Sequence, residues 1–216
     1  MPQQAIRWAI GKGVDIINLS LGYRKCDYSQ FDNLVMALRD AQSSNIVVFA
    51  ATSNQGAHDP IAWPAKDSEL AIGIHSSIDS GRRPSDFTAI AELDHNFMVV
   101  GENILSQWPT SKGGGFRLCT GTSFASPVAA AVGALVLAFA FQKLCSRHRE
   151  KANGKIRPLE ELRTNSGMRK VLLKISTKTE NYLWIRSKLF WHSYEDDDRT
   201  KALGHAWEII ENSLKL

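Results

Sequence analysis

The run Val14-Asp15-Ile16-Ile17-Asn18-Leu19-Ser20-Leu21-Gly22, read together with Ile46-Val47-Val48-Phe49-Ala50-Ala51, decides the fold. Each holds a short β-branched or apolar core (Val14 to Leu19, Ile46 to Ala51) of the kind that forms a strand buried on both faces. Between them Phe31, Leu34, Val35, Leu38 and Ala41 fall at i, i+3, i+4, i+7 and i+10, the spacing of an amphipathic helix that ends at Ser43-Ser44-Asn45. Strand, helix and strand with short joints predict an α/β fold, a parallel sheet flanked by helices. In such sheets ligands gather at the carboxyl ends of the strands, here after Leu19 and after Ala51.

Working outward, Ala5, Ile6, Ala9 and Ile10 suit a helix face closed by Gly11 and Gly13. Leu70 to Ile74 and Phe97 to Val100 read as further strands, and a long apolar helix runs from about Ser123 to Lys143. Beyond Gln142 the character changes. Residues 143–165 are polar and basic, broken at Asn153-Gly154 and Pro158, and read as a linker. Met168, Val171, Leu172 and Ile175, then Leu203, Ala206, Trp207, Ile210 and Leu214, mark helices of a mainly helical C-terminal extension over 166–216. The second of these follows Asp196-Asp197-Asp198, charges suited to a helix N-terminus. A periodic helix within a turn of Met1, with no strand before it, leads us to expect an N-terminally incomplete sheet.

The 216 residues are 44% hydrophobic and 22% charged, which excludes wholesale disorder. Net charge is +4, distributed unevenly: residues 143–178 hold eleven Lys and Arg against three Glu. That segment contains no Phe, Trp or Tyr, so it lacks the stacking platform of a single-strand binder and reads as a solvated arm; no nucleic-acid partner is expected. Cys26, Cys119 and Cys145 are too few and too dispersed for a disulfide framework, and reduced thiols point to a cytoplasmic protein. The uninterrupted apolar run Val128 to Phe141 falls short of the roughly twenty residues of a membrane span, so no membrane association is expected.

Chemistry enters through three segments: Asp15 to Gly22, Val48-Phe49-Ala50-Ala51-Thr52-Ser53-Asn54-Gln55-Gly56, and Gly121-Thr122-Ser123-Phe124-Ala125-Ser126-Pro127 at the start of the apolar helix. A serine at a helix N-terminus has unpaired backbone N–H groups and a positive dipole end beside it, which favour a developing oxyanion. An asparagine on the facing loop adds a neutral donor, and such donors contribute about 3–4 kcal/mol each. Alone, each segment is commonplace: a helix cap, a turn asparagine or a strand exit. In this order and spacing they resemble the subtilisin-like serine peptidases over about residues 4–142. The resemblance implies that Ser123 is the nucleophile and that Asn54 stands in the oxyanion hole. It further implies that Ser20, Leu21 and Gly22, with Ala51, Thr52 and Ser53, bind a polypeptide substrate. Trp63-Pro64-Ala65 resembles the family's aromatic-Pro segment. No cofactor or metal is expected, since no acidic cluster matches the family's calcium sites.

A serine needs a base, and the base an orienting carboxylate. The family's Asp-Ser/Thr-Gly and His-Gly-Thr motifs precede the serine, and neither is found there; none of the six histidines is followed by Gly-Thr. Asp79-Ser80-Gly81 spells the aspartate motif on the wrong side of Asn54 and reads as a turn. Ser53 replaces the family's glycine before the oxyanion asparagine, and Val128 stands where many members have histidine. The expectation is a serine endopeptidase domain that is inactive without an N-terminal half supplying Asp and His. Its rival is a pseudoprotease that binds peptides along the Ser20–Gly22 edge by strand addition. An α/β-hydrolase order, Ser123 then Asp196 or Asp198 then His205, fails because Gly121-Thr-Ser-Phe-Ala125 lacks the second glycine of the nucleophile elbow.

Overall fold

The computed structural model describes residues 1–24, 28–78, 81–148, 157–191 and 199–214. Cys26, Asp79-Ser80, part of the basic arm, His192 and Asp196 to Asp198 lie outside these.

The predicted strand–helix–strand unit is present. Helix α1 (Pro2–Gly11) leads into β1 (Ile16–Leu19), then α2 (Tyr28–Ser43) and β2 (Val47–Ala51). Strands β3 (Ile72–Ser77) and β4 (Phe97–Val100) follow, and β1 to β4 pair in parallel in chain order. All five residues of β2 are buried, and they alternate between two cores. Val47 and Phe49 face one core, which contains the long helix α3 (Thr122–His148); Val48 and Ala50 face the other, under α1 and α2. That two-sided burial explains why the strand reads as a continuous apolar run. Gly133 in α3 lies so close to Phe49 that a Cβ there would meet its ring at 3.0 Å, which sets the approach of helix to sheet.

Four strands beyond those expected are present among the described residues. A two-stranded antiparallel hairpin, β5 (Ile104–Gln107) and β6 (Phe116–Cys119), leads into Gly121. Its Leu105, Phe116 and Leu118 are exposed, so it carries no burial pattern to read. Residues 166–216, expected as a helical extension, also hold β7 (Ser176–Thr179) and β8 (Tyr182–Ile185). Strand β8 runs parallel to β4 and antiparallel to β7, completing a six-stranded sheet ordered β1-β2-β3-β4-β8-β7. Ser176-Thr-Lys-Thr179 is an edge strand without apolar alternation, which hid it.

The basic linker is also partly helical. Residues 143–148 continue α3, and α4 (Arg157–Leu162) buries Leu162. Helices α5 (Asn165–Lys174), α6 (Ser187–Trp191) and α7 (Arg199–Leu214) pack into the same core as α3. The 96%-buried Asn165 stitches this segment to the sheet: its Oδ1 accepts from Val48 N–H at 2.8 Å and its Nδ2 donates to the Glu69 carbonyl at 2.9 Å.

Residues Thr122–Leu144 form a helix long and apolar enough to cross a membrane by length and composition, longer than the apolar run alone suggested. It lies instead across the sheet, against β1, β2, β3 and β4.

Candidate active site

The carboxyl ends of β1 and β2 and the N-terminus of α3 meet at a cleft of about 510 Å³. Ser20, Leu21, Gly22, Ala51, Ser53, Asn54 and Ser123 line it together, though Ser20 and Ser123 are 103 residues apart. Thr52 does not reach it. This residue is fully buried beneath the loop, with Oγ1 donating to the Ile74 carbonyl at 3.2 Å and standing 3.3 Å from His75 Nδ1.

Ser123 is the second residue of α3. Gly121 O accepts from the Phe124 and Ala125 amides, and Thr122 N–H is taken by Asn54. Among the described hydrogen bonds Ser123 N–H has no acceptor, as expected of a helix's first turn. Asn54 Oδ1 accepts twice from Thr122, from its N–H at 2.7 Å and its hydroxyl at 2.8 Å. That double contact fixes which end of the amide is which, and leaves Nδ2 as the group free to donate. Gly121 makes room for it: at φ +149 a Cβ here would lie 3.1 Å from Asn54 Nδ2. Ser53, in the place of the family's glycine, is held at φ +155, a backbone region that side chains rarely adopt.

A second set of bonds ties the end of β1 to the nucleophile's helix. Ser126 Oγ donates to Asn18 Oδ1 at 2.6 Å, Asn18 Nδ2 to Ser20 Oγ at 3.0 Å, and Ser20 Oγ to the Ser123 carbonyl at 2.7 Å. Pro127 makes that last bond necessary. It has no N–H, so the Ser123 carbonyl four residues earlier lacks its helical donor, and the Ser20 hydroxyl substitutes for it. This consequence of Pro127 was not read from the sequence, nor were the roles of Asn18, Thr122 and Ser126. The Gly-Thr-Ser-Phe-Ala-Ser-Pro stretch carried the signal.

Ser123 Oγ donates weakly to the Ser20 carbonyl at 3.4 Å, and among the described residues no imidazole or carboxylate is hydrogen-bonded to it. His58, which the sequence did not single out, lines the cleft with Gln55. Asp59, also missed, has a nearly buried side chain paired with the exposed Arg24 at the cleft wall. Gly22 abuts Ala62, where a Cβ would come within 2.7 Å of the alanine methyl, and the neighbouring Tyr23 and Trp63 exchange backbone hydrogen bonds. His75, fully buried beneath Thr52, has a pKa pushed down by burial from 6.5 to about 4. Among the described residues no group of His, Cys, Asp and Glu is placed to hold a metal ion.

The family model described as the subtilase family matches residues 2–181, well past residue 142, where the sequence motifs stop. The chain is 50% identical to the Subtilisin-like protease het-Q2 of Podospora anserina over 97% of its own length, and spans 60% of that relative. It is 36% identical to Subtilisin DY of Bacillus licheniformis, over 61% of this chain and 46% of that one. Among solved structures, the Prenylagaramide maturation protease PagA matches 94% of this chain and 66% of its own, with a TM-score of 0.62 at 23% identity, a likeness of fold.

Proposed function

The chain belongs to the subtilase family, and on that premise we propose that it carries the nucleophile and oxyanion half of a serine endopeptidase site. Ser123 Oγ attacks the scissile carbonyl of a polypeptide. The Ser123 N–H and Asn54 Nδ2 receive the oxyanion, and Ser20 to Gly22 align the substrate backbone as an added strand. The observation that carries this proposal is the Thr122 clamp on Asn54 Oδ1, which leaves a donor free beside the unpaired Ser123 N–H. The base and its orienting carboxylate are supplied by polypeptide outside these 216 residues. Without a histidine, turnover falls on the order of a millionfold, a magnitude borrowed from a subtilisin.

The test begins with the native transcript upstream of Met1, where we expect an in-frame Asp-Ser/Thr-Gly followed by His-Gly-Thr. The longer product should cleave a fluorogenic peptide, Ser123→Ala should abolish cleavage, and Asn54→Ala should lower kcat by about 10²–10³-fold, again the size set by a subtilisin's oxyanion donor. Translation that starts at Met1, with no turnover in any preparation, would overturn the catalytic reading. Saturable peptide binding unaffected by Ser123→Ala would then identify a pseudoprotease.

A further inference from the structure

The hairpin β5–β6 stands beside the nucleophile with a bare apolar face. Leu105 pairs with Leu118 and Gln107 with Phe116, which puts these four side chains on one face; Leu105 and Leu118 are each 66% exposed and Phe116 71%. That face belongs to a braced element. Trp108 Nε1–H donates to the Lys112 carbonyl at 3.1 Å, the Trp108 backbone N–H donates to the Gly115 carbonyl at 2.8 Å, and the Arg117 guanidinium lies 4.7 Å over the Trp108 ring. The base of the hairpin is seated on the start of α3. Gly121 N–H donates to the Gly101 carbonyl at 2.8 Å and Asn103 N–H to Thr120 Oγ1 at 3.0 Å, and a Cβ on Gly101 would lie 2.9 Å from the Ala125 methyl. A soluble protein seldom holds three large apolar side chains side by side in water on a fixed element unless something binds them.

We infer that this face is a second binding surface for the polypeptide substrate, taking apolar residues on the leaving-group side of the scissile bond. The inference rests on the reading of Ser123 as a nucleophile, and takes Ser20 to Gly22 as aligning the acyl half of the substrate. Sheet order selects the occupant. The aligning segment leaves the end of β1, whereas the hairpin leaves the end of β4, three strands and about 14 Å away. Ser123 lies between them: its carbonyl accepts from Ser20 on one side, and Thr120 and Gly121 join it to the hairpin on the other. A chain held at Ser20 to Gly22 that continues over Ser123 therefore arrives at the hairpin with its leaving half. Leu118 stands five residues before Ser123, within about 17 Å along the chain, so the face meets residues about three to five beyond the cleaved bond. A bilayer or a second copy could also cover an apolar face, but neither accounts for this one being braced onto the helix that carries the nucleophile.

The probe is a pair of fluorescein-labelled peptides of Ala, Ser and Gln, identical except for Leu-Phe-Leu or Ser-Ser-Ser in their carboxyl-terminal third, titrated by anisotropy against the intact 216-residue protein. We expect the Leu-Phe-Leu peptide to bind at least tenfold more tightly. That preference should fall below twofold in Leu118→Asp and in Phe116→Ser, exposed changes checked for an unaltered Tm. Equal binding of the two peptides overturns the proposal, as does a preference that survives both substitutions. A dimer of this chain, or partition into phosphatidylcholine vesicles, that Leu118→Asp abolishes in the absence of any peptide preference assigns the face to that partner and overturns it too. In the longer, active product, Leu118→Asp should act through KM. The loss should be at least fivefold greater for an internally quenched peptide with Leu-Phe-Leu at the third to fifth residues after the cleaved bond than for a peptidyl aminomethylcoumarin, which has no residues there. The two readings fail separately: a peptide preference without turnover in any preparation refutes the catalytic one alone, and turnover of both substrates with equal losses in Leu118→Asp refutes the hairpin surface alone.

Discussion

The bond between Ser20 and the Ser123 carbonyl offers a sharp test of how this site is held. Pro127 deprives that carbonyl of its helical donor, and the Ser20 hydroxyl replaces it at 2.7 Å. Ser20→Ala should therefore cost about 1 kcal/mol, the net worth of one hydrogen bond, and no more because the site is solvent-exposed. Pro127→Ala restores an N–H at the position from which an α-helix would bond the same carbonyl. In that background Ser20→Ala should cost less, since the carbonyl keeps a partner, and the coupling between the two substitutions should be about 0.5–1 kcal/mol. Urea denaturation of the four proteins at pH 7.5, followed by far-UV circular dichroism, reads all terms of the cycle. The Asn18–Ser20 bond is lost equally in both backgrounds and cancels. Additive substitutions, with a coupling below about 0.2 kcal/mol, would show that Ser20 does not stand in for the missing amide, and the account of Pro127 would fall.

Three further outcomes follow. Asn165→Ala leaves the Val48 N–H and Glu69 carbonyl without the partner that now bridges them inside the protein, and should cost about 2–4 kcal/mol in the same assay; a cost under about 0.5 kcal/mol would mean that the α5 segment is not stitched to β2. His75 is depressed to about 4 in the folded chain against 6.5 unfolded, so its neutral form stabilises the fold fully above pH 6.5 and that contribution is lost as pH falls toward 4. The intact protein should lose about 3 kcal/mol more than His75→Leu between pH 7 and pH 4, and parallel pH profiles for the two would refute the assignment. Gly133→Val drives a side chain into the Phe49 ring and should destabilise by about 1–3 kcal/mol, read as a fall in Tm.

Much of the central sheet was legible because its chemistry is local. Strand β2 is buried on both faces, so every residue from Val47 to Ala51 had to be apolar; β1 buries Ile17 and Leu19 while Asn18 is exposed, and its β-branched run was enough to mark it. The apolar spacing of α2 is the direct image of its contact with the second core. Asn45, expected to end that helix, sits at φ +54, the left-handed turn an asparagine tolerates. The elements that escaped notice are those whose stability comes from partners distant in sequence. Strand β7 is polar and sits at the sheet's far edge, and β8 is only four residues long and needs Phe97 and Met98 beside it to be a strand at all. The hairpin β5–β6 has exposed apolar residues and no face to alternate against.

At the site, the order and spacing of three segments carried the resemblance to the subtilisin-like peptidases, and that resemblance nominated Ser123, Asn54 and Ser20 to Gly22. What they could not state is that Asn54 is turned by Thr122, that Pro127 creates the vacancy filled by Ser20, or that Thr52 is buried against His75 and away from the cleft. Those facts are distances between residues 23 to 103 positions apart. A linear sequence records which groups exist; only the packing of α3 onto the ends of β1 and β2 decides which of them face one another.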